Sequence, residues 1–492
     1  AALDAATVEA NIYLLDAGGA KVDASDVYDG AKRVTLKPSA GLNAYASYRL
    51  IVDSGLKSAA GEAILTGKVI RIRTGLDTSD KFPQISDEEL LTKVQQQTFR
   101  YFWEGAEPTS GMARERTSSG ATVTTGGTGF GVMAMTVAAE RGFVTRSEAC
   151  QRVQRIVTFL AERATSYHGA FSHWIDGQTG QTLPFSADDN GADLVETGLL
   201  FQGLLTARAY FDGADAAESK LRADITALWE AVEWDFFTKE GTEKVLYWHW
   251  SPDKGWAMNM PIQGWNEALI VYVLAASSPT HPIGREVYAE GWARGGAMRN
   301  GKLFYDTVLP LGEDYGGPLF WAQYSFLGLN PRGLSDAYAD YWEQVCNHTR
   351  INYAYCVDNP KGYAGYGADC WGLTASDIPD GYTASSPTND RGVIAPTAAL
   401  SSMPYTPDES MAALRFFYYK LGDKLWSDYG FIDAFDLTTG WFDRGMHIAI
   451  DQGPIVVMIE NYRTGLPWNL FMSDKDVQRG LAELGFTVEA GS

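Results

Sequence analysis

The chain has 492 residues, 45% hydrophobic and 21% charged, the proportions of a folded globular protein rather than a disordered one. Its 61 acidic against 40 basic residues give a formal net charge of −21, which disfavours nucleic acid and anionic membranes, because neutralising phosphate needs clustered Lys and Arg. A neutral ligand suits such a surface better.

This length allows two to four domains, or one large domain with a small appendage. The longest apolar runs, such as 268–276, fall short of a membrane span. The opening AALDAATVEA has no basic leader, as a trimmed export product would. Cys150, Cys346, Cys356 and Cys370 show no CxxC spacing, so zinc and thioredoxin-like roles are disfavoured. Four free, partly buried thiols are expected, with a Cys346–Cys356 bridge as the alternative.

Residues 1–76 carry short β-rich runs (ANIYLLD, KRVTLKP, YRLIVDS, AILTGKVIRIRTG) between Gly, Asp, Ser and Asn, the pattern of a small antiparallel β-sandwich. From Ser86 the period becomes helical, opening with a Ser cap and an acidic first turn. Further helices are expected at 128–142, 146–164, 189–213, 216–233, 261–277, 283–297, 317–327, 334–350, 392–402, 407–421 and 448–465, with a short one near 474–484. Twelve helices without βαβ alternation predict a mainly-α domain over 77–492, six hairpins closed as an (α/α)6 barrel. The connections 105–127, 167–188, 237–260, 301–316 and 351–391 are long and aromatic, and read as cleft walls.

Asp189, Asp193 and Glu196 follow i, i+4, i+7 spacing, which on a helix puts three carboxylates on one face. Like charges there repel, so a ligand, a cation or catalysis is expected to hold them. A capping role at the helix start explains one or two of the three. Glu267 follows Trp265 and Asn266 at the head of an apolar helix, where burial raises a carboxyl's pKa as a general acid requires. Asp451 interrupts an apolar run in IDQGP, and Glu460 with Arg463 reads as an i, i+3 ion pair. Trp248, Trp250, Trp256 and Trp265 offer indole faces for stacking on sugar, while Arg114 and Arg116 could hydrogen-bond hydroxyls. Tyr101, Phe102 and Trp103 read as core. TTGGTGFG at 124–131 lacks the GK[ST] ending of a phosphate loop. The six His contain no HExxH motif, so neither metal nor cofactor is expected.

The segments FRYFWEGAEPTSGMARER, SADDNGADLVETGLLFQGLL, MPIQGWNEALIVYVLA, GGPLFWAQYSFLGLNPRG and IDQGPIVVMIENYRTGLPWNLF resemble the glycoamylase-like proteins of glycoside hydrolase family 144, the bacterial β-1,2-glucanases. The resemblance covers roughly 85–485 in consistent order, and 1–76 is similar to the bacterial Ig-like module that precedes such domains. It implies an (α/α)6 barrel, export to the periplasm or outside the cell, and inverting hydrolysis of β-1,2-glucan to sophorose or short oligosaccharides. It matches Asp189, Asp193 and Glu196 to the family's acidic triplet and Glu267 to its essential glutamate, while Asp451 falls in a shared segment. The expected mechanism has Glu267 as acid and Asp189, Asp193 or Asp451 as base, with Asp193, Glu196, Arg114 and the four tryptophans binding sugar. Two residues one helical turn apart cannot straddle a sugar, so acid and base are expected on different helices. A monomer with an oligo- or polysaccharide substrate is expected. The competing readings are hydrolysis of another glucan, a non-catalytic glycan-binding protein and a polysaccharide lyase.

Overall fold

A computed structural model of the protein describes residues 2–31 and 33–489. There are two compact units, one built from 1–79 with 361–365 and 435–442, the other from 80–360, 366–434 and 443 onward. The first carries β1 (Ile12–Leu15), β2 (Ala24–Tyr28), β3 (Val34–Pro38), β4 (Ser47–Val52) and β5 (Lys68–Arg73). They pair antiparallel as a β1-β4-β5 sheet and a β2-β3 ribbon, with Ile12 opposite Val52 and Ala24 opposite Pro38. Half-buried and exposed positions alternate along β2 and β3, as in strands with one covered face. Each of the four expected β-rich runs contains a strand. The additional strand, β2, is short and half polar.

The second unit is helical. It contains α1 (Asp87–Trp103), α2 (Thr125–Glu140), α3 (Arg146–Glu162), α4 (Leu194–Tyr210), α5 (Ala216–Glu230) and α6 (Leu269–Ser277). Then come α7 (Tyr341–Asp358), α8 (Pro396–Leu400), α9 (Pro407–Arg415), α10 (Ala449–Arg463), α11 (Leu466–Met472) and α12 (Lys475–Leu484). The expected Ser86 cap is a full capping box, with Ser86 Oγ accepting from Glu89 N and Glu89 accepting from Ser86 N. That arrangement pairs donors a helix otherwise leaves free at its start.

Two kinds of helix divide the work. α1, α3, α5 and α12 keep polar residues on an outer face and bury one apolar stripe. α2, α4, α6 and α10 are buried almost all round, as helices inside an outer layer must be. Glycine lets two of them touch backbone to backbone. A Cβ on Gly129 of α2 would stand 2.3 Å from the Leu199 carbonyl oxygen of α4, and one on Gly203 would stand 2.1 Å from that of Gly129. The glycine-rich 124–131 run is therefore a helix-packing surface. Gly129→Ala is expected to cost about 3 kcal/mol or more, the upper end for overpacking, because backbone cannot step aside as a side chain can. A denaturant midpoint equal to wild type would contradict this.

Several expected helices are shorter or shifted. Residues 189–193 are not helical, because Ala192 and Asp193 pair antiparallel with Trp250 and His249. The stretch 261–268 is irregular, with Gly264 at φ +74° and a tight turn closed where Asn266 Oδ1 accepts from Ala268 N at 2.9 Å. Residues 283–297 and 317–327 break into single turns, and the helix expected over 334–350 runs over α7 instead, behind its Asp340 cap. Glu460 does not pair with Arg463. It accepts from Arg141 Nε at 2.8 Å, while Arg463 reaches Glu88, since both side chains point away from each other toward neighbouring helices. The four cysteines are free and buried. No described helix is long and apolar enough to cross a membrane.

Candidate active site

The buried helices present acids at their N-terminal ends. Asp193 is the N-cap of α4, its Oδ1 accepting from Val195 N and Glu196 N at 3.0 and 2.9 Å. Glu196 lies in the first turn of α4, and its Oε2 accepts from Gly126 N at the start of α2 (2.6 Å) and from Thr124 Oγ1 (3.2 Å). A Cβ at residue 126 would come within 2.7 Å of that same oxygen, so glycine is what admits Glu196. Glu267 occupies the turn ahead of α6, where Ser325 Oγ donates to its carbonyl oxygen at 2.5 Å. Asp451 sits in the first turn of α10, its carbonyl oxygen accepting from Thr397 Oγ1 of α8 at 2.7 Å. Unpaired N–H groups and the helix dipole favour negative charge at such ends.

One wall is held by two histidines. His173 Nδ1 lies 3.1 Å from Asp193 Oδ2 and His173 Nε2 lies 3.9 Å from Glu196 Oε1. His249 Nε2 stands 3.5 Å from Asp189 Oδ2 and 3.8 Å from Asp193 Oδ2. Burial opposes a charge on His173, but Glu196, the Asp193 hydrogen bond and Asp189 outweigh it and raise its pKa to about 9. His173 is thus the cation that holds the triplet together. Burial pushes the Asp189 carboxyl up to about 7, with Asp193 adding to the shift. Burial also raises Glu196, against the pull of His173.

The opposite wall is a second acidic group, in which the sequence pointed to Arg116 and Asp451 but not to Asp377 or Asp433. Arg116 Nη1 bonds both oxygens of Asp377, at 3.0 and 2.8 Å, and Arg116 Nε bonds Glu115 at 2.9 Å. The hairpin of Ala375–Ile378 and Gly381–Ala384 sets Asp377 opposite Tyr382. Asp377 N donates to Asp433 Oδ2 at 2.8 Å. Burial raises Asp433 to about 7, and burial with the Asp433 charge raises Asp451 well above the ordinary range. Neither Asp451 carboxylate oxygen accepts from an N–H or a hydroxyl among the described residues; the Asp451 carboxyl is paired instead with that of Asp433, across a hydrogen bond that one shared proton supplies. The shared proton offsets the cost of burying two carboxyls side by side.

Between the walls lies a cleft of about 290 Å³, lined by Glu115, Arg116, His173, Trp174, Phe185 and Glu196, with Tyr382 and the start of α10 closing it. Phe185 is 51% exposed, and its ring packs 4.7 Å from Trp174 and 4.6 Å from His173. Burial pushes the Glu267 carboxyl up to about 7, and the charges of Asp193 and Glu196 add to it. Glu267 therefore lies within the field of the first wall.

The expected residues fare unevenly. Asp189 is brought to the cluster, but from a loop through His249 rather than from a shared helix face. Asp193 is fully enclosed and committed to the cap and His173, so it supports the wall rather than offering itself to sugar. Trp265 is also buried, its Nε1 directed at His348 Nδ1 at 3.4 Å and its ring stacked on Phe326, which removes it as a stacking face. Trp248 stacks on His249, beside the site. Trp250 and Trp256 pack around Phe236. Arg114 bridges to Val123 through its backbone, and Arg116 lines the cleft instead. His173, Trp174 and Phe185 fall in the 167–188 connection and Asp377 and Tyr382 in the 351–391 connection, both expected as cleft walls, but none of them nor Asp433 carried a signal of its own, because each is isolated in a loop or short hairpin. Two triads bring possible cation ligands within 4.8 Å of one another, His173–Asp189–Asp193 and Asp377–Asp433–Asp443. In each a protein cation, His173 or Arg116, already supplies positive charge, so no metal role is assigned.

A helical unit whose acid-lined cleft is flanked by aromatic rings has the features of a carbohydrate-active enzyme. Comparison with known proteins makes this specific. Residues 259–475 match the glycoamylase family, described as "Putative glucoamylase", and residues 1–71 match a bacterial Ig-like domain. A solved "putative glucoamylase" of Bacteroides uniformis is 58% identical, covering 83% of this chain and 99% of its own, with a TM-score of 0.81. An endo-β-1,2-glucanase of Chitinophaga pinensis, solved with sophorotriose and glucose, is 51% identical over 82% of this chain and 99% of its own, with a TM-score of 0.80. The chain belongs to this glycoamylase family. An exo-β-1,2-glucooligosaccharide sophorohydrolase (non-reducing end) of Parabacteroides distasonis is 48% identical over 421 residues, which is 81% of this chain. The chain spans 58% of the length of that curated relative.

Proposed function

We propose that the protein is a glycoside hydrolase that cleaves β-1,2-glucan to sophorose or short oligosaccharides by inversion. The observation that carries this reading is the pair of carboxyls at the heads of two different helices, Glu267 half-buried and Asp451 buried. Glu267 has its pKa raised to about 7, and Asp451 is paired with the Asp433 carboxyl and takes no N–H or hydroxyl donor among the described residues. Glu267 is the general acid that protonates the glycosidic oxygen. Asp451 is the base that accepts a proton from the attacking water. Inverting enzymes need two carboxyls about 6.5–9.5 Å apart with water between them, and the reading puts acid and base on separate helices because two carboxylates one helical turn apart cannot straddle a sugar.

Glu196 and Asp189, charge-balanced by His173, bind sugar hydroxyls, while Phe185 and Trp174 stack against a ring face. The 77–492 region is read as an (α/α)6 catalytic barrel and 1–76 as an Ig-like module. The protein is read as a periplasmic or secreted monomer, and its relatives' glucan chemistry supports the substrate class. The test is product analysis by chromatography on β-1,2-glucan, starch and laminarin. Sophorose or its short homologues are expected from the first alone. Cleavage of starch alone would replace this reading with a glucoamylase, and binding without release of reducing ends would make the protein a glycan receptor.

A further inference from the structure

His173 is set between the heads of α2 and α4 by the backbone around it. Thr125 N donates to its carbonyl oxygen at 3.2 Å and Thr125 Oγ1 to that of Ser172 at 2.5 Å. Phe171 N donates to Thr197 Oγ1 of α4 at 2.9 Å. In that position one ring nitrogen is committed. Nδ1 lies 3.1 Å from Asp193 Oδ2, and an ionised carboxylate only accepts, so Nδ1 carries a proton. Half of the Glu196 carboxylate is committed in the same way, its Oε2 accepting from Gly126 N at 2.6 Å and from Thr124 Oγ1 at 3.2 Å. The remaining atoms, His173 Nε2 and Glu196 Oε1, stand 3.9 Å apart. Both residues line the cleft, and that separation is too long for a direct hydrogen bond.

An oxygen about 2.8 Å from each atom fits the gap, provided it accepts from one and donates to the other. A hydroxyl does both. The donor side requires the imidazolium. A neutral ring would keep its one proton on Nδ1 for Asp193, and Nε2 would then compete with Glu196 for a single hydroxyl hydrogen. Burial opposes the second proton, but Glu196, the Asp193 hydrogen bond and Asp189 hold the His173 pKa at about 9. His249, the other ring of this wall, is lowered by burial and leaves the charge to His173. The rings of Phe185 and Trp174 stand 4.6 and 5.7 Å from that of His173, and a sugar laid on such a face directs its hydroxyls outward from its edge. We propose that His173 Nε2 and Glu196 Oε1 together hold one hydroxyl of the glycan, the imidazolium donating to its oxygen and the carboxylate accepting from it. This rests on the hydrolysis proposed above, and it makes His173 a substrate contact as well as the cation of the triplet. A site that donates and accepts at one point rejects an analogue lacking the hydroxyl, because both groups are then left unpaired.

The test separates the ring nitrogen from the charge. In His173→Asn the amide nitrogen can stand where Nδ1 stood and nothing replaces Nε2, whereas in His173→Gln the amide reaches the Nε2 position. Both variants lose the cation, so both are expected to melt below wild type to a similar extent. On β-1,2-glucan, KM is expected to rise about tenfold to a hundredfold in H173N, the effect of losing one hydrogen bond from a charged donor. H173Q is expected to recover about threefold to tenfold of that loss, as a neutral donor would. In both, kcat should change less than KM, as for a contact made equally in ground and transition states. Equal KM losses in the two variants would mark charge balance alone and overturn the proposal, as would an unmoved KM in H173N. A second arm needs neither variant to fold. Crystals of Glu267→Gln soaked with a β-1,2-linked glucooligosaccharide should place one sugar oxygen about 2.8 Å from both His173 Nε2 and Glu196 Oε1. A bound sugar with no hydroxyl between those atoms would also overturn it. If wild type cleaves β-1,2-glucan and either arm gives an overturning result, only the role of His173 fails. A wild-type protein inactive on every glucan would remove the functional reading and this inference together.

Discussion

Glu267→Gln is expected to lower hydrolysis of β-1,2-glucan on the order of 10³-fold, within the range for losing a positioned general acid, while leaving the fold intact. Glutamine matches the carboxyl in shape and keeps the backbone contact from Ser325, but it has no proton to give the leaving oxygen. Wild-type activity should fall as pH rises through about 7, where Glu267 loses its proton. The stability sign follows from the same shift. The folded-state value lies above the ordinary 4.5, so stability is fully present below about 4.5 and is lost as pH rises toward 7, because ionising a buried carboxyl costs more in the folded chain. The glutamine variant is free of that loss and should melt at or above wild type at neutral pH. Hydrolysis by E267Q within tenfold of wild type would transfer the acid role elsewhere.

Asp451→Asn is the companion experiment, with a comparable expected loss of on the order of 10³-fold confined to kcat. The base must be ionised to work, and burial with Asp433 raises Asp451 well above the usual range. Activity should therefore fall on the acidic side, as Asp451 takes up a proton. This is opposite in direction to the limb set by Glu267. The folded state again carries the higher pKa, so wild type should lose stability as pH rises through the Asp451 titration, and D451N should resist alkaline melting better. Asparagine can donate to Asp433 as protonated Asp451 does, and it introduces no charge. A D451N enzyme with normal kcat would return the base to Asp189, whose carboxyl is also raised to about 7.

Much of the helical framework is legible in the sequence, because helix heads carry local chemistry. Ser86 with Glu89 writes a capping box within four residues, and the apolar stripes of α1, α3 and α12 recur at the helical period. Asp189, Asp193 and Glu196 are visible for the same reason of proximity. Their spacing alone suggests a common helix face, and the structure replaces that with a loop, a cap and a first turn. The misplacement comes from Ala192 and Asp193 pairing with His249 and Trp250, a contact from more than fifty residues away. Trp265 is conspicuous in the sequence yet lies in the core, since no local pattern tells a buried indole from a cleft wall.

The residues themselves determined the acidic character, the buried helices and the N-terminal ends at which carboxylates are tolerated. These rest on periodicity, capping and burial, which act within a few residues. Only the tertiary structure decided that His173 neutralises Asp193 and Glu196, that Arg116 clamps Asp377, and that the Asp433 carboxyl meets that of Asp451. Those relations depend on charge and desolvation between groups up to hundreds of residues apart in sequence. Coulomb interaction and burial depend on distance through space, and only the packed chain fixes that distance.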